Sequence, residues 1–345
     1  MDLHCYLLLF FFNDKKYFEI SSSLIISQLK KQILKDGAHF ELSSTYHQLI
    51  LYRILDVILL LELNCFDFHF KFLNILKNYA SKMTSWIENI KYNDNSFPLC
   101  NDSANELTPP LINLLKYSEK STNKQILYLS ESGYRMKKTD NFELFLNIAD
   151  VQAYYQPGHT HADTFNFELK VNNIPIFIDS GTSTYNVSER RCLERSTMAH
   201  NTVVINNQNS SEVWGSFRLA RRAKIISLIE VDNFIKASHD GYNKYGVIHE
   251  RKWTWTNDEI VIVDSIKSSN NYEANAYFHL SNQIKIVQST KNCNFFLGEN
   301  ISISFENSNN IKIKNFRYAL EFNKLIDSKC FSVSFKGYLT TRIKI

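Results

Sequence analysis

The densest concentration of polar chemistry in the chain is Gln156-Pro157-Gly158-His159-Thr160-His161-Ala162-Asp163. Imidazoles ligate metals and move protons near neutral pH, so two histidines separated by one residue raise both possibilities. Taken as an extended segment, His159 and His161 are expected to point to opposite faces, one toward a metal and the other toward a substrate cleft. Asp179 stands 18 residues after His161. A turn near Asn172 would bring it back to where the paired strand began. His200 follows in Met198-Ala199-His200-Asn201-Thr202. Two imidazoles and a carboxylate suit a zinc ion. The competing reading is a turn or core role for His-x-His and a hydrogen-bonded core position for His200. The six cysteines, Cys5, Cys65, Cys100, Cys192, Cys293 and Cys330, form no CxxC pair, which removes zinc ribbons and thioredoxin-type motifs. They are expected to be mostly reduced, buried and structural.

The elements that must position these residues change period partway along the chain. Up to about residue 116, apolar residues recur at helical spacing. The first stripe is Leu24, Ile25, Leu29 and Ile33; the second is Leu49, Ile50, Ile54, Val57, Ile58 and Leu61; the third is Phe72, Leu73, Leu76, Ala80, Met83 and Ile87. Short polar breaks at Lys35-Asp36-Gly37, 64–67 and 93–96 predict antiparallel helix pairs. From about Gln125 the period is two. Phe165, Phe167, Leu169 and Val171 alternate with polar residues, and Asn172-Asn173 predicts a hairpin into Ile174–Ile178. Further strands are expected at 202–205, 223–229, 253–255, 260–263, 284–287 and 301–305. The fold class is α+β and multidomain, with helices over 1–116 and a large antiparallel β-sandwich over 117–345.

The chain has 345 residues, 44% hydrophobic and 21% charged, which excludes a disordered or collagen-like protein. A net charge of +4 is too mild for a nucleic-acid binder yet permits a local basic cleft. The apolar run Leu7–Phe12 has no Lys or Arg before it and no small-residue cleavage site after it, so no export signal is legible there. Ile54–Leu63, broken by Asp56 and Glu62, is too short to span a bilayer.

Several separated segments, in order, resemble the heparinase II/III-like polysaccharide lyases, a group that includes oligoalginate lyases. They read KQILKDGAHFELSSTYHQ, NDSA, QPGHTHADTFNFELKVNNIPIFIDSGTSTYN, RSTMAHNTVVI, SEVWGSFRLARRAK, SHDGY and GVIHER, and cover about residues 3 to 285. The resemblance implies a partial α/α toroid followed by an antiparallel β-sandwich. It implies a structural zinc held by His161, Asp179 and His200, a catalytic tyrosine at Tyr46, and His159 lining the cleft. The implied chemistry is β-elimination on an acidic polysaccharide or oligosaccharide. A uronate carboxylate is neutralised, the C5 proton is taken by a base, and an acid protonates the departing O4. A phenol titrates near ~10, and a neighbouring cation would lower it, so Tyr46 is suited to either proton job. His159 is the partner base or steadies the carboxylate.

His39 and Glu41 either orient substrate or finish the helix connection. Arg195 and Arg218, with Arg221 and Arg222, are candidates for a cationic wall facing a polyuronate. Trp214 and Trp253 are candidates for sugar stacking or for core packing. His47 is expected to be structural, and His239 and His249 are given no chemistry.

The family pattern also places an Asn-His helix well ahead of the catalytic tyrosine. Tyr46 has 45 residues before it, and Leu3–Leu7 resembles the middle of that helix, so those carboxylate-neutralising residues are expected to be missing. His4 sits too late to replace them. Two other classes therefore stand beside the lyase: a catalytically inactive glycan-binding or surface-polysaccharide assembly protein, and a zinc hydrolase with an open site. Location is expected to be periplasm or cell envelope if a leader lies upstream, and cytoplasm otherwise. Oligomeric state is left open.

Overall fold

The computed structural model describes residues 15–64, 70–123, 125, 129–288, 293–298 and 300–345. The Leu7–Phe12 run, His4, Cys5 and Cys65 lie outside the described residues.

Four helices come first: α1 (Lys15–Gln32), α2 (Ser44–Leu63), α3 (Phe70–Ile90) and α4 (Leu111–Ser118). The apolar stripes of α2 and α3 are buried as their spacing predicts, with Leu51, Ile54, Ile58 and Leu61 facing Leu76, Ala80, Met83 and Ile87 in one core. On α1 the buried side is Phe18, Ser22, Ile25 and Leu29, and Leu24 is exposed. The Lys35-Asp36-Gly37 break packs directly on α3. Gly37 has φ +90°, and a Cβ there would lie 2.3 Å from the Lys82 carbonyl oxygen, so only glycine fits. Among the described residues no helix is long and apolar enough to cross a membrane.

The sandwich starts with a four-stranded antiparallel sheet, β1 (Tyr134–Lys138), β2 (Phe142–Asn147), β3 (Phe167–Val171) and β4 (Ile174–Phe177), in that order. Asn172 and Asn173, at φ 49° and 64°, make the tight turn between β3 and β4. The expected strand from Phe165 begins two residues later. Phe165 is left-handed (φ 69°), and its carbonyl accepts from Arg251 instead of joining the ladder. Then follow β5 (Val203–Ile205), β6 (Glu212–Trp214), β7 (Arg218–Ala220), β8 (Ile225–Val231), β9 (Phe234–His239), β10 (Val247–Trp255), β11 (Glu259–Ser268), β12 (Ala274–His279), β13 (Ile286–Gln288), β14 (Asn294–Leu297), β15 (Ile301–Glu321) and β16 (Lys324–Lys344). The large sheet runs β13-β14-β15-β16-β11-β10-β9-β8, with β12 on β16 and β5 on β12; β6 and β7 form a separate pair. The β15–β16 hairpin changes neighbours along its length. Tyr338–Lys344 pair with β11, whereas Cys330–Phe335 pair with β12. Register shifts on β15 between Glu306 and Asn310 accompany that change. A Phe177–Leu280 bridge ties the four-stranded sheet to the end of β12. Phe167, Phe177, Phe278, Phe305, Phe331 and Trp253 share the resulting core.

A buried polar chain crosses the large sheet. The Gly241 amide donates to His239 Nδ1, so His239 Nε2 donates to His249 Nδ1 (3.1 Å) and His249 Nε2 donates to Asp264 (2.7 Å). Arg251 grips the same carboxylate through two nitrogens and spends its third on the carbonyls of Phe165 and Asn201. His239 and His249 are thus structural, and Arg251 fixes the segments beside His161 and His200.

Burial pushes His39, His47 and His279 each down to about 3 from the ordinary 6.5. The unfolded chain binds protons that the folded chain refuses, so stability is intact above pH 6.5 and falls as pH drops from there toward 3. At pH 5 the loss is about 2 kcal/mol per histidine. Urea midpoints at pH 7 and pH 5 check this. Equal midpoints would contradict neutral burial.

Candidate active site

Asp102 sits in the loop between α3 and α4, after Asn101, which adopts the left-handed region (φ 56°). The carboxylate has no exposed surface and five donors. Arg191, on the short helix α5 (Glu189–Glu194), grips both oxygens at 2.5 and 2.7 Å. His161 Nε2 donates to Oδ1 at 2.8 Å, Thr182 to Oδ1 at 3.0 Å, and His159 Nδ1 to Oδ2 at 2.9 Å. Burial raises the carboxyl, but the histidine bonds and the arginine outweigh it and hold Asp102 well below the usual carboxylate range.

The two histidines therefore converge on one carboxylate. The expectation of opposite faces is overturned, because residues two apart in extended chain share a face. An acceptor at Nδ1 fixes the proton there on His159 and leaves Nε2 as a lone pair. For His161 the assignment is reversed, with Nδ1 left open.

Tyr46 is delivered to the same place by the start of α2. Ser43 caps the helix, accepting from the Tyr46 amide at 3.2 Å and donating to the Asp102 carbonyl at 2.7 Å. Thr45 exchanges two 3.0 Å bonds with the backbone of Ala104. The Tyr46 and His159 rings stand 4.0 Å apart between centroids, tilted by 33°. The Tyr46 hydroxyl is 3.0 Å from that of Tyr185. Phe217, in the β6–β7 turn, packs on both His159 and Tyr185. Burial pushes the Tyr46 phenol above 10, against the lowering expected from a neighbouring cation, so it keeps its proton at neutral pH. The guanidinium close by, Arg191, is committed to Asp102.

Deeper in, His200 Nδ1 is 2.9 Å from Asp179 Oδ2, and the His161 and His200 rings are 5.4 Å apart. Asp179 also accepts from Asn166 at 2.6 Å and from the Gly181 amide at 2.9 Å. His161 Nδ1, His200 Nε2 and Asp163 Oδ2 are buried and complete no hydrogen bond among the described residues. Burial pushes His161 down to about 4, which keeps it neutral. Among the described residues no three His, Cys, Asp or Glu side chains are already gathered to hold a metal ion, since His200 and Asp179 face each other directly. The donor types and the two orphaned ring nitrogens nevertheless fit a zinc ion.

Other expected site residues fare differently. Arg195 is fully buried and donates to the Thr160 carbonyl at 2.9 Å, so it braces the His159–His161 loop from behind and forms no cationic wall. Loss of solvation draws it down to about 10. His39 is buried, with its backbone amide on His47 Nδ1 and its ring 3.8 Å from Glu41; it finishes the helix connection. Glu41 lies at the edge of the site, its carboxyl raised by burial. Arg218 is exposed on β7, one residue past Phe217. Arg221 lies 3.3 Å from Glu212, and Arg222 holds the Tyr154 carbonyl. Trp214 is half exposed and Trp253 is core. His47 is structural, bonding the Met83 carbonyl and stacking on Trp86. Cys100 and Cys330 are buried free thiols as expected, whereas Cys192 and Cys293, the other two described cysteines, are exposed.

Sequence reasoning gave no role to Asp102, Arg191 or Tyr185. Asp102 lies in the NDSA segment and Tyr185 in GTSTYN, but neither spacing nor residue type announces a contact across 89 residues.

The family model described as "Heparinase II/III-like, C-terminal" matches residues 121–345, and "Heparinase II/III N-terminus" matches 11–127. A heparin-sulfate lyase of Bacteroides stercoris is 24% identical over 316 residues, covering 84% of this chain and 44% of that protein. The crystal structure of a heparan sulfate lyase from Pedobacter heparinus superimposes with a TM-score of 0.73 at 16% identity, covering 95% of this chain and 56% of that one. A heparinase III gene product gives 0.75 at 18% identity, covering 99% and 58%. The chain thus spans about half the length of these relatives, and the structural likeness extends to both the helical part and the sandwich.

Replacing Asp102 by Ala leaves the Arg191 guanidinium buried without its counter-charge. The expected cost is about 3–5 kcal/mol of folding stability. Urea denaturation with an unchanged slope measures it, and a loss below ~1 kcal/mol, the size of a surface pair, would overturn the hub role.

Proposed function

The chain belongs to the heparinase II/III-like family, and from that premise we propose that it cleaves a uronic-acid-containing glycan by β-elimination. The observation that carries this is the facing pair Tyr46 and His159, with the tautomer of His159 set by Asp102. His159 Nε2 takes the C5 proton, the freed electron pair forms the C4–C5 double bond, and the C4–O4 bond breaks. Tyr46, protonated because it is buried, gives its proton to O4. Two proton positions on adjacent rings match a reaction that adds no water to the product. Tyr185, bonded to the Tyr46 hydroxyl, orients that phenol; the proton gained by His159 is released to solvent and Tyr46 takes one back after product leaves. Arg218 is the exposed cation beside Phe217 that draws the polyanion in.

Zinc belongs to the same reading, held by His161, Asp179 and His200. When bound it supplies a structural clamp. The residues' own part is to hold Asp179 at the end of β4 against His200 and to keep His161 on Asp102.

Incubation with a panel of sulfated and unsulfated uronates should produce the ultraviolet absorbance of an unsaturated sugar. Tyr46→Phe and His159→Ala should each lower kcat by roughly 10²–10⁴ with a much smaller change in KM. A folded protein that yields no absorbance on any uronate sinks the lyase reading and leaves an inactive glycan binder.

Elemental analysis should find one zinc per chain, and His200→Ala should remove it together with part of the thermal stability. A metal-free preparation whose melting temperature does not respond to added zinc would refute the clamp.

A further inference from the structure

On the far side of α5 from Asp102 lies a groove of about 1080 Å³, between α5 and the strands β12, β15 and β16. Its floor is aromatic. Tyr277 and His279 lie parallel on β12, and Phe316 packs on His279 at 4.2 Å. Phe316 is half-buried, with one part in the sheet and the other open to the groove.

The charge around this floor is lopsided. Arg190, Lys314, Arg317 and Lys329 line the groove against only Glu189 and Asp327. Strand alternation puts Lys314 on the face of Phe316 and turns Arg317 and Lys329 to the other face, so these two border the groove and do not floor it. Lys314 Nζ hangs over the Tyr277 ring at 5.3 Å, and Lys329 leans on the Asn315 amide. Arg190 reaches the Arg317 carbonyl at 3.1 Å while bonding Glu194. Lys314, Arg317 and Lys329 form no ion pair with a carboxylate of the described residues, although Asp327 sits opposite Arg317 in register. Exposed cations without counter-charges over aromatic faces suit one ligand chemistry. Tyr277 and His279 are buried, so a sugar ring lies on the open part of Phe316, and its carboxylates or sulfates meet the ammonium groups.

Position supports the same conclusion. Arg191 of α5 faces the site through Asp102, and Arg190 and Leu193 of the same helix face the groove. The groove and the Asp102 cluster thus lie against different faces of one short helix.

We propose that this groove is an accessory subsite for an anionic saccharide segment remote from the bond that is cut. The identity of the ligand as substrate rests on the lyase reading; its anionic saccharide chemistry rests on the groove alone. Binding of a sulfated uronate decasaccharide and of a tetrasaccharide of the same glycan is measured by calorimetry on the whole chain carrying Tyr46→Phe, which prevents turnover.

The decasaccharide should bind roughly ten-fold more tightly, the worth of a few exposed charge contacts. Lys314→Glu with Lys329→Glu should erase that advantage and leave tetrasaccharide binding unchanged. Lys314→Gln with Lys329→Gln should erase most of it without reversing charge. Raising the salt should shrink it in the unsubstituted groove. A decasaccharide advantage that survives both pairs of substitutions overturns the subsite, as does the absence of any advantage. Lysine-dependent binding in a protein that cleaves no glycan would leave the groove standing and remove the lyase. Cleavage without a length advantage would do the reverse.

Discussion

A carboxylate sealed from water must either take up a proton or be bonded on every side, and the arrangement of this site follows from the second solution at Asp102. Five donors on two oxygens leave little freedom for anything that supplies them. Arg191 fixes α5, Thr182 fixes the strand end that carries Asp179, and His159 and His161 fix the loop before β3. The backbone around Asp102 is bound in turn by the cap of α2, which brings Tyr46. Helices and sandwich thus meet at this charge, in addition to the bonds that Glu168 and Asp36 make between the same parts. Removing that charge would loosen parts that are far apart in sequence.

Much of the architecture was legible because hydrophobic period is a direct consequence of burial on one face. The stripes of α2 and α3 and the Asn172-Asn173 hairpin follow from periodicity and turn chemistry alone. Leu24 misled because it is an apolar residue on the outer face of α1, and a stripe read by eye absorbs such neighbours. The strands β1, β2, β9, β12, β14 and β16 carried weaker signals. In β2 all six residues are buried, so alternation vanishes there. In β16 the partner changes midway from β12 to β11, and a strand that swaps partners shows no single inward face.

The site was legible in part. The histidines, Asp179 and Tyr46 stood out through their segments, and the structure brings Tyr46 to His159 and Asp179 to His200. What the sequence could not convey was the hub. Aspartate in a loop and arginine in a six-residue helix are ordinary surface residues by type, and only the fold reveals that both are sealed. Arg195 shows the converse, since a cation expected at the surface is spent on the Thr160 carbonyl. The fault over His159 and His161 was one of parity: period two places them together, and that common direction lets one acceptor serve both.

Sharing an acceptor has a consequence for how the two rings divide their work. His159 keeps 21% of its side-chain surface and His161 none, although they are two residues apart. Each gives its proton-bearing nitrogen to Asp102, so each must present the opposite nitrogen to its own surroundings: Nε2 on a partly exposed ring for the first, Nδ1 in the buried interior for the second. A ring that flipped would lose a charge-assisted bond and leave an oxygen of Asp102 short of a donor in a place no water reaches. The tautomers are therefore set by the hub before any ligand arrives, and both open ring nitrogens are prepared by the same carboxylate.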